Sequence, residues 1–342
     1  MKSIFFIIIF SFNLTATSAQ CESNYPPAAM SNGQIPNIHS SIYFVDGPYA
    51  GFDPCNSTVD IRVNGKSDTF VIVLHGSAGS DRNQLNVAKR FQDAGYSVLK
   101  FDAFKMNKLS KDYNFWMWTV HTSSHQRMMY FSSVAAIQWL KKNHPERSKK
   151  IIFYGNSLGA TTALNVAATE GLDPLVMVIA DAPASYGIGL PDNLFVPVYI
   201  LYGLQDNYGG GWPADELLWK RKAPCLWNAP IQNTPLGNAA NCNYSIYAQG
   251  ANIKTILAKR SPSVEEYVDD QKKKGAMISI NLFDGAAHAI FRGTDIESET
   301  LVSASGVKFY KSLGSKPGVA DKVFQEMLAA IKHTTNPQAQ GQ

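Results

Sequence analysis

The stretch Lys150-Ile151-Ile152-Phe153-Tyr154-Gly155-Asn156-Ser157-Leu158-Gly159-Ala160 joins a buried-strand pattern, a Gly-x-Ser-x-Gly turn and the start of a helical run. A serine thrust from a sharp strand-to-helix turn needs small flanking residues so that strand, turn and helix can approach. Gly155 and Gly159 meet that need. The helix beginning behind Ser157 aims unpaired N–H groups and a positive dipole end at the hydroxyl. Gly-x-Ser-x-Gly arises often by chance, but between a strand and a helix it marks a nucleophile.

The same strand–helix rhythm extends in both directions. Upstream, Phe70 to Leu74 reads as a buried strand ending at His75-Gly76-Ser77-Ala78-Gly79, followed by a helix with Leu85, Ala88, Phe91 and Ala94 on one side. Ser97 to Phe101 reads as a strand, and Val134, Ile137 and Leu140 mark a helix. Downstream, Ala160 to Ala168 is helical, and Leu175 to Ala180 and Val196 to Tyr202 are strands. Ser263-Val264-Glu265-Glu266 is a capping box for a helix ending at Gly275. Met277 to Phe283 is a strand, and Val319 to Ile331 is a closing amphipathic helix. At the start, Ser41 to Asp46 and Val59 to Val63 are expected to form an antiparallel pair. Strands alternating with helices require a mostly parallel sheet flanked by helices on both faces. An α/β fold in a single domain over 20–333 is therefore expected, with an insertion at about 207–255 and a loose polar tail over 334–342.

A serine hydroxyl needs a base, and the base needs an orienting carboxylate. On such a sheet these follow the serine in the order acid, then histidine. His288, in the small-residue loop Asp284-Gly285-Ala286-Ala287-His288, fits the base. His39 and His75 precede the serine, His144 lies at a helix end and His333 in the tail. Asp206, after the strand ending at Tyr202, is the assigned acid, with Asp181 as its competitor; Asp284 is too near His288 to orient it. The developing oxyanion needs two donors. Leu158 N–H is the first and Ser77 N–H the second, with Ala78 as a near alternative.

In these residues the chain resembles an α/β-hydrolase, and most of all the dienelactone hydrolase-like branch. The His75-Gly76 turn, Gly155-x-Ser157-x-Gly159, Asp206 and His288 carry the resemblance, over approximately Thr69 to His288. It implies hydrolysis of esters, lactones or related acyl compounds without a metal or cofactor. The namesake lactonases carry a cysteine nucleophile and resemble cytosolic proteins, whereas this chain has Ser157 and an export signal, so lactone specificity is not transferred. The expectation is a secreted or periplasmic serine hydrolase with a small-molecule acyl substrate. An acyltransferase or peptidase would use the same residues, and a binding module could keep the scaffold without activity. Acyl chain, leaving group and oligomeric state are not encoded legibly.

The rest of the chain narrows the setting. With 342 residues, 45% hydrophobic and 17% charged, it is not a disordered or fibrous sequence. The net charge of +4 is scattered, and Lys272 to Lys274 follow Asp269 and Asp270, so no nucleic-acid footprint is read. Lys2, the apolar run Ile4 to Phe10 and Thr17-Ser18-Ala19 form a signal peptide over 1–19. That run is shorter than the roughly twenty apolar residues of a bilayer span, so no stable membrane anchor is expected. Cys21, Cys55, Cys225 and Cys242 all follow it; three pairings are possible, and proximity favours Cys21 with Cys55 and Cys225 with Cys242. His121-x-x-x-His125 lacks the glutamate of a zinc-protease helix, so no metal is expected, and its aromatic neighbours read as core or pocket wall. Trp212, Trp219 and Trp227 in the insertion are either a lid or packing anchors.

Overall fold

The computed structural model describes residues 51–107, 115–183, 190, 191, 193–207, 220, 263–302 and 308–335. The signal-peptide segment, the Ser41 to Asp46 strand, Cys21, Cys225, Cys242, the three loop tryptophans and nearly all of the insertion lie outside these residues. Among the described residues no cysteine is free.

Seven strands form the main sheet: β1 (Asp60–Arg62), β2 (Thr69–Leu74), β3 (Ser97–Phe101), β4 (Lys150–Asn156), β5 (Leu175–Asp181), β6 (Val198–Gly203) and β7 (Ile278–Phe283). Their spatial order is β1-β3-β2-β4-β5-β6-β7. β1 runs antiparallel to β3 and every other pairing is parallel. Among the described residues the partner of β1 is β3, through Ile61 opposite Leu99; the Ser41 to Asp46 run expected to pair with it lies outside them. Strand neighbours follow from burial on both faces, which alternation along a single strand cannot specify.

Side chains on alternate strand positions enter two cores. Phe70, Ile72, Leu74 and Phe153 face one layer, where α3 (Phe115–Asn143), α4 (Leu158–Ala167) and α5 (Val264–Lys273) supply Ile137, Leu164 and Val268. Val71, Val73, Ile152 and Tyr154 face the other, where α1 (Arg82–Asp93) and α6 (Val319–Thr335) supply Phe91, Phe324 and Met327. Burying each such side chain contributes about 1.5–3 kcal/mol. Short α2 (Ala103–Met106) follows β3. The capping box is present at Ser263 and Glu266. α6 continues to Thr335, so Thr334 and Thr335 belong to the last helical turn and not to a loose tail. A hairpin that the sequence reading lacks, β8 (Ile296–Val302) with β9 (Lys308–Gly314), follows the β7 loop.

Candidate active site

The parallel strands β4, β5, β6 and β7 all end at one edge, and each carries a site loop there. Asn156 stands beside Asp181, Asp181 beside Leu201, and Gly203 beside Phe283. Ser157 follows β4 with φ 55° and ψ −116°, a conformation an L-residue holds only when its surroundings enforce it, at a cost of about 1–3 kcal/mol. The flanking glycines show the enforcement. A Cβ on Gly155 would lie 2.1 Å from the Gly159 carbonyl oxygen, and one on Gly159 would lie 2.3 Å from that of His75. Ser157 N–H donates to the Asp181 carbonyl at 2.7 Å. Although Ser157 occupies the N-cap of α4, its hydroxyl makes no capping bond. Leu158 opens that helix, where a backbone N–H has no intrahelical acceptor.

Across the same edge, His288 Nδ1 lies 2.9 Å from Asp206 Oδ2, and both residues are buried. The carboxylate only accepts, so Nδ1 carries the proton and Nε2 of the neutral ring is left with a lone pair. The two loops are stitched together. Gln205 N–H donates to the Ala286 carbonyl at 2.9 Å, an approach open because Gly203 has no Cβ; one would stand 2.2 Å from that oxygen. β9 holds His288 from the other side. His288 N–H donates to the Ser312 carbonyl, Gly314 N–H donates to the His288 carbonyl, and Ser312 N–H donates to Asn207 Oδ1 beside Asp206. On α1, Asn83 Oδ1 accepts from Phe291 N–H and Asn86 Nδ2 donates to its carbonyl, anchoring the chain just beyond the histidine.

The loop after β2 carries Ser77, the expected second donor. Ala103 N–H donates to His75 Nε2 at 2.9 Å, which assigns the ring proton to Nδ1, and Nδ1 donates to the Gly76 carbonyl at 2.6 Å. Burial lowers the pKa of this histidine, so it acts as a neutral bridge; the Asp102 carboxylate 3.7 Å from Nε2 is not an ion-pair partner. Asp102 accepts from Ser80, Phe104 and Lys105 N–H groups, tying the far end of the loop to α2. A Cβ on Gly76 would touch Ser157 Cβ at 3.2 Å, so half-buried Ser77 follows directly on the residue packed against the nucleophile turn. Ala78 is exposed.

The side chains of the competitors make other bonds. Asp181 Oδ2 accepts from Tyr154 O–H at 2.6 Å and Asn156 Nδ2 at 3.0 Å, so its side-chain bonds go to β4. Burial raises its pKa to about 6. Asp284, at the surface, accepts from Gln205 and Gly285. His144 packs against Phe70 and Trp139, away from the site edge. His39 lies outside the described residues, as do the side chains of His121 and His125. The sequence reading missed Tyr154, Asn156, Asn83, Asn86 and Asp102. The available signal was polar side chains inside otherwise apolar buried segments, which need partners when buried.

The Dienelactone hydrolase family model matches residues 61–225. No curated protein matches the sequence. Solved structures with a similar chain course include an esterase of Pyrococcus furiosus, with 21% identity over 67% of this chain and 78% of that one and a TM-score of 0.39. Dienelactone hydrolase from Anabaena variabilis shows 15% identity over 81% of this chain and 91% of that one, TM-score 0.46. A dienelactone hydrolase-like promiscuous phosphotriesterase from metagenomic libraries shows 14% over 83% and 90%, TM-score 0.46. None of these likenesses fixes a substrate. By its own sheet order the chain has an α/β fold with a mostly parallel sheet, and over residues 61–225, from β1 past β6, it is similar to the Dienelactone hydrolase family.

Proposed function

We propose that this chain is a serine hydrolase cleaving a carboxylic ester or related acyl compound through an acyl-enzyme on Ser157. The observation that carries the reading is the 2.9 Å bond between His288 and Asp206, 82 residues apart, at the edge where Ser157 holds its strained turn. In this reading His288 Nε2 takes the Ser157 proton as Oγ attacks the acyl carbon. Leu158 and Ser77 N–H groups receive the negative charge on the carbonyl oxygen, and Asp206 steadies the imidazolium. The imidazolium then protonates the leaving alcohol. Water, deprotonated by the same nitrogen, attacks the acyl-enzyme and restores the Ser157 hydroxyl. The route requires no metal or organic cofactor.

A fluorophosphonate probe tests it. Wild type is expected to be labelled at Ser157, Ser157→Ala to stay unlabelled, and His288→Ala to label at least about a hundredfold more slowly. An unlabelled wild type overturns the reading. A series of chromogenic esters of increasing acyl length then reads the acyl preference.

Export belongs to the same proposal, supported by Lys2, the Ile4 to Phe10 run and Thr17-Ser18-Ala19. The expected new amino terminus of the exported protein is Gln20. Pairing of Cys21 with Cys55 and of Cys225 with Cys242 is checked by counting thiols under denaturing conditions, with none expected before reduction.

A further inference from the structure

Asp181 is buried beside the candidate site and the proposed triad does not use it. Three features set it apart. Its main chain holds the nucleophile turn, since its carbonyl accepts the Ser157 N–H at 2.7 Å. Its carboxylate is fully buried, with Oδ2 bonded to Tyr154 and Asn156 and Oδ1 without a hydrogen-bond partner. The next residue, Ala182, has φ 58°, and the other two non-glycine residues with positive φ among those described are Ser157 and Ala289, at the nucleophile and next to the base. Backbone strain of this kind clusters where function over-determines geometry. A purely structural strand end would be served as well by a neutral residue, because an ionised carboxylate with an unbonded oxygen in the interior is destabilising.

We propose that Asp181 is a positioning residue of the hydrolytic site: its carbonyl fixes the Ser157 peptide, and its carboxylate supplies a second buried negative charge coupled to the His288–Asp206 pair. The inference rests on the serine hydrolase reading and adds a group to it. The titratable groups that act on Asp181 come from each neighbouring element: Tyr154 on β4, Asp206 after β6 and His288 in the loop after β7, with Asp81 at the α1 N-cap acting in turn on Tyr154. When Ser157 gives up its proton, the imidazolium gains Asp181 as a second counter-charge. Protonation of Asp181 removes that attraction. With its pKa raised to about 6 by burial, the carboxylate loses its charge as the pH falls through that value, a proton uptake additional to that of the base. The acid limb of the rate profile is therefore expected to be steeper than one proton explains.

The test uses the full exported chain, with p-nitrophenyl acetate hydrolysis and the rate of fluorophosphonate labelling followed from pH 4 to 9. Asp181→Asn is expected to lower kcat about 10- to 100-fold with KM nearly unchanged, and to reduce the acid limb to one-proton steepness. Tyr154→Phe removes the O–H donor that favours the ionised carboxylate, so its acid limb is expected to move to higher pH; this variant decides the matter if Asp181→Asn does not fold. Wild-type rates and an unshifted profile in a folded Asp181→Asn overturn the proposal, as does an unshifted limb in Tyr154→Phe. Both of those results leave labelling of Ser157 intact, so the hydrolase reading survives them. An Asp206→Asn protein that keeps full turnover while Asp181→Asn loses it makes Asp181 the acid itself and overturns the positioning role. A wild type that is never labelled overturns the inference together with the reading beneath it.

Discussion

At the scale of single residues, Asp206 and His75 show two ways in which a side chain supports chemistry. Asp206 accepts from His288 Nδ1 and so fixes the tautomer of the ring. Asp206→Asn is expected to lower kcat by about 10³- to 10⁴-fold through the wrong tautomer, with the fold intact by circular dichroism. His75 bridges the Gly76 carbonyl and the Ala103 N–H. His75→Ala leaves the buried Ala103 N–H without its acceptor, while the Gly76 carbonyl keeps the Gly79 N–H, and is expected to cost about 1–3 kcal/mol in urea unfolding, with slower labelling of Ser157. Ser157, Asp206 and His288 were nominated from sequence by their type, their order and their place after strands, and the structure sets His288 beside Asp206 at 2.9 Å. Tyr154 was legible only as a strand residue. Its hydroxyl acquires a purpose when β4 and β5 are set in register, which brings it to Asp181 across 27 residues.

Among the elements, the turn between β4 and α4 is the least tolerant of change. Gly155→Ala would press a methyl group into the Gly159 carbonyl at 2.1 Å, where backbone on both sides cannot yield. A loss of about 3 kcal/mol or more is expected from the urea midpoint. Removing the α5 cap by Ser263→Ala is expected to cost about 1 kcal/mol with kcat unchanged, since that helix supports the face of the sheet and not the edge of the candidate site. Legibility differed between elements for physical reasons. β2 and β4 are buried nearly throughout, and an apolar run announces such strands. β8, Ile296-Glu297-Ser298-Glu299-Thr300-Leu301-Val302, is mixed in polarity and pairs with β9 alone, so no hydrophobic period betrayed it. The carboxyl-terminal part of α3 was read from its periodic apolar residues. Its start was read only as aromatic residues flanking a histidine pair.

Over the whole molecule, buried titrating groups pull stability in opposite directions with pH. Burial lowers the pKa values of His75 and His144 from 6.5. The unfolded chain therefore takes up protons that the native chain refuses as pH falls past about 6.5, and their contribution is lost on acidification. Asp181 works the other way. Its pKa rises from 3.8 to about 6, so the native chain binds that proton first; the stabilisation is present below pH 3.8 and disappears as pH rises through about 6. Asp181→Asn is accordingly expected to raise the urea midpoint more at pH 8 than at pH 4, the reverse of its effect on turnover.

The strand from Lys308 to Gly314 grips the peptide of His288 on both sides and also reaches Asn207, next to Asp206. Imidazole and carboxylate consequently ride on a shared cassette. A jolt to that hairpin would shift the two together, preserving their mutual alignment while altering their reach to the hydroxyl of the opposite turn. In the proposed mechanism, mechanical disturbance there is expected to throttle proton withdrawal and to leave the tautomer of the ring untouched.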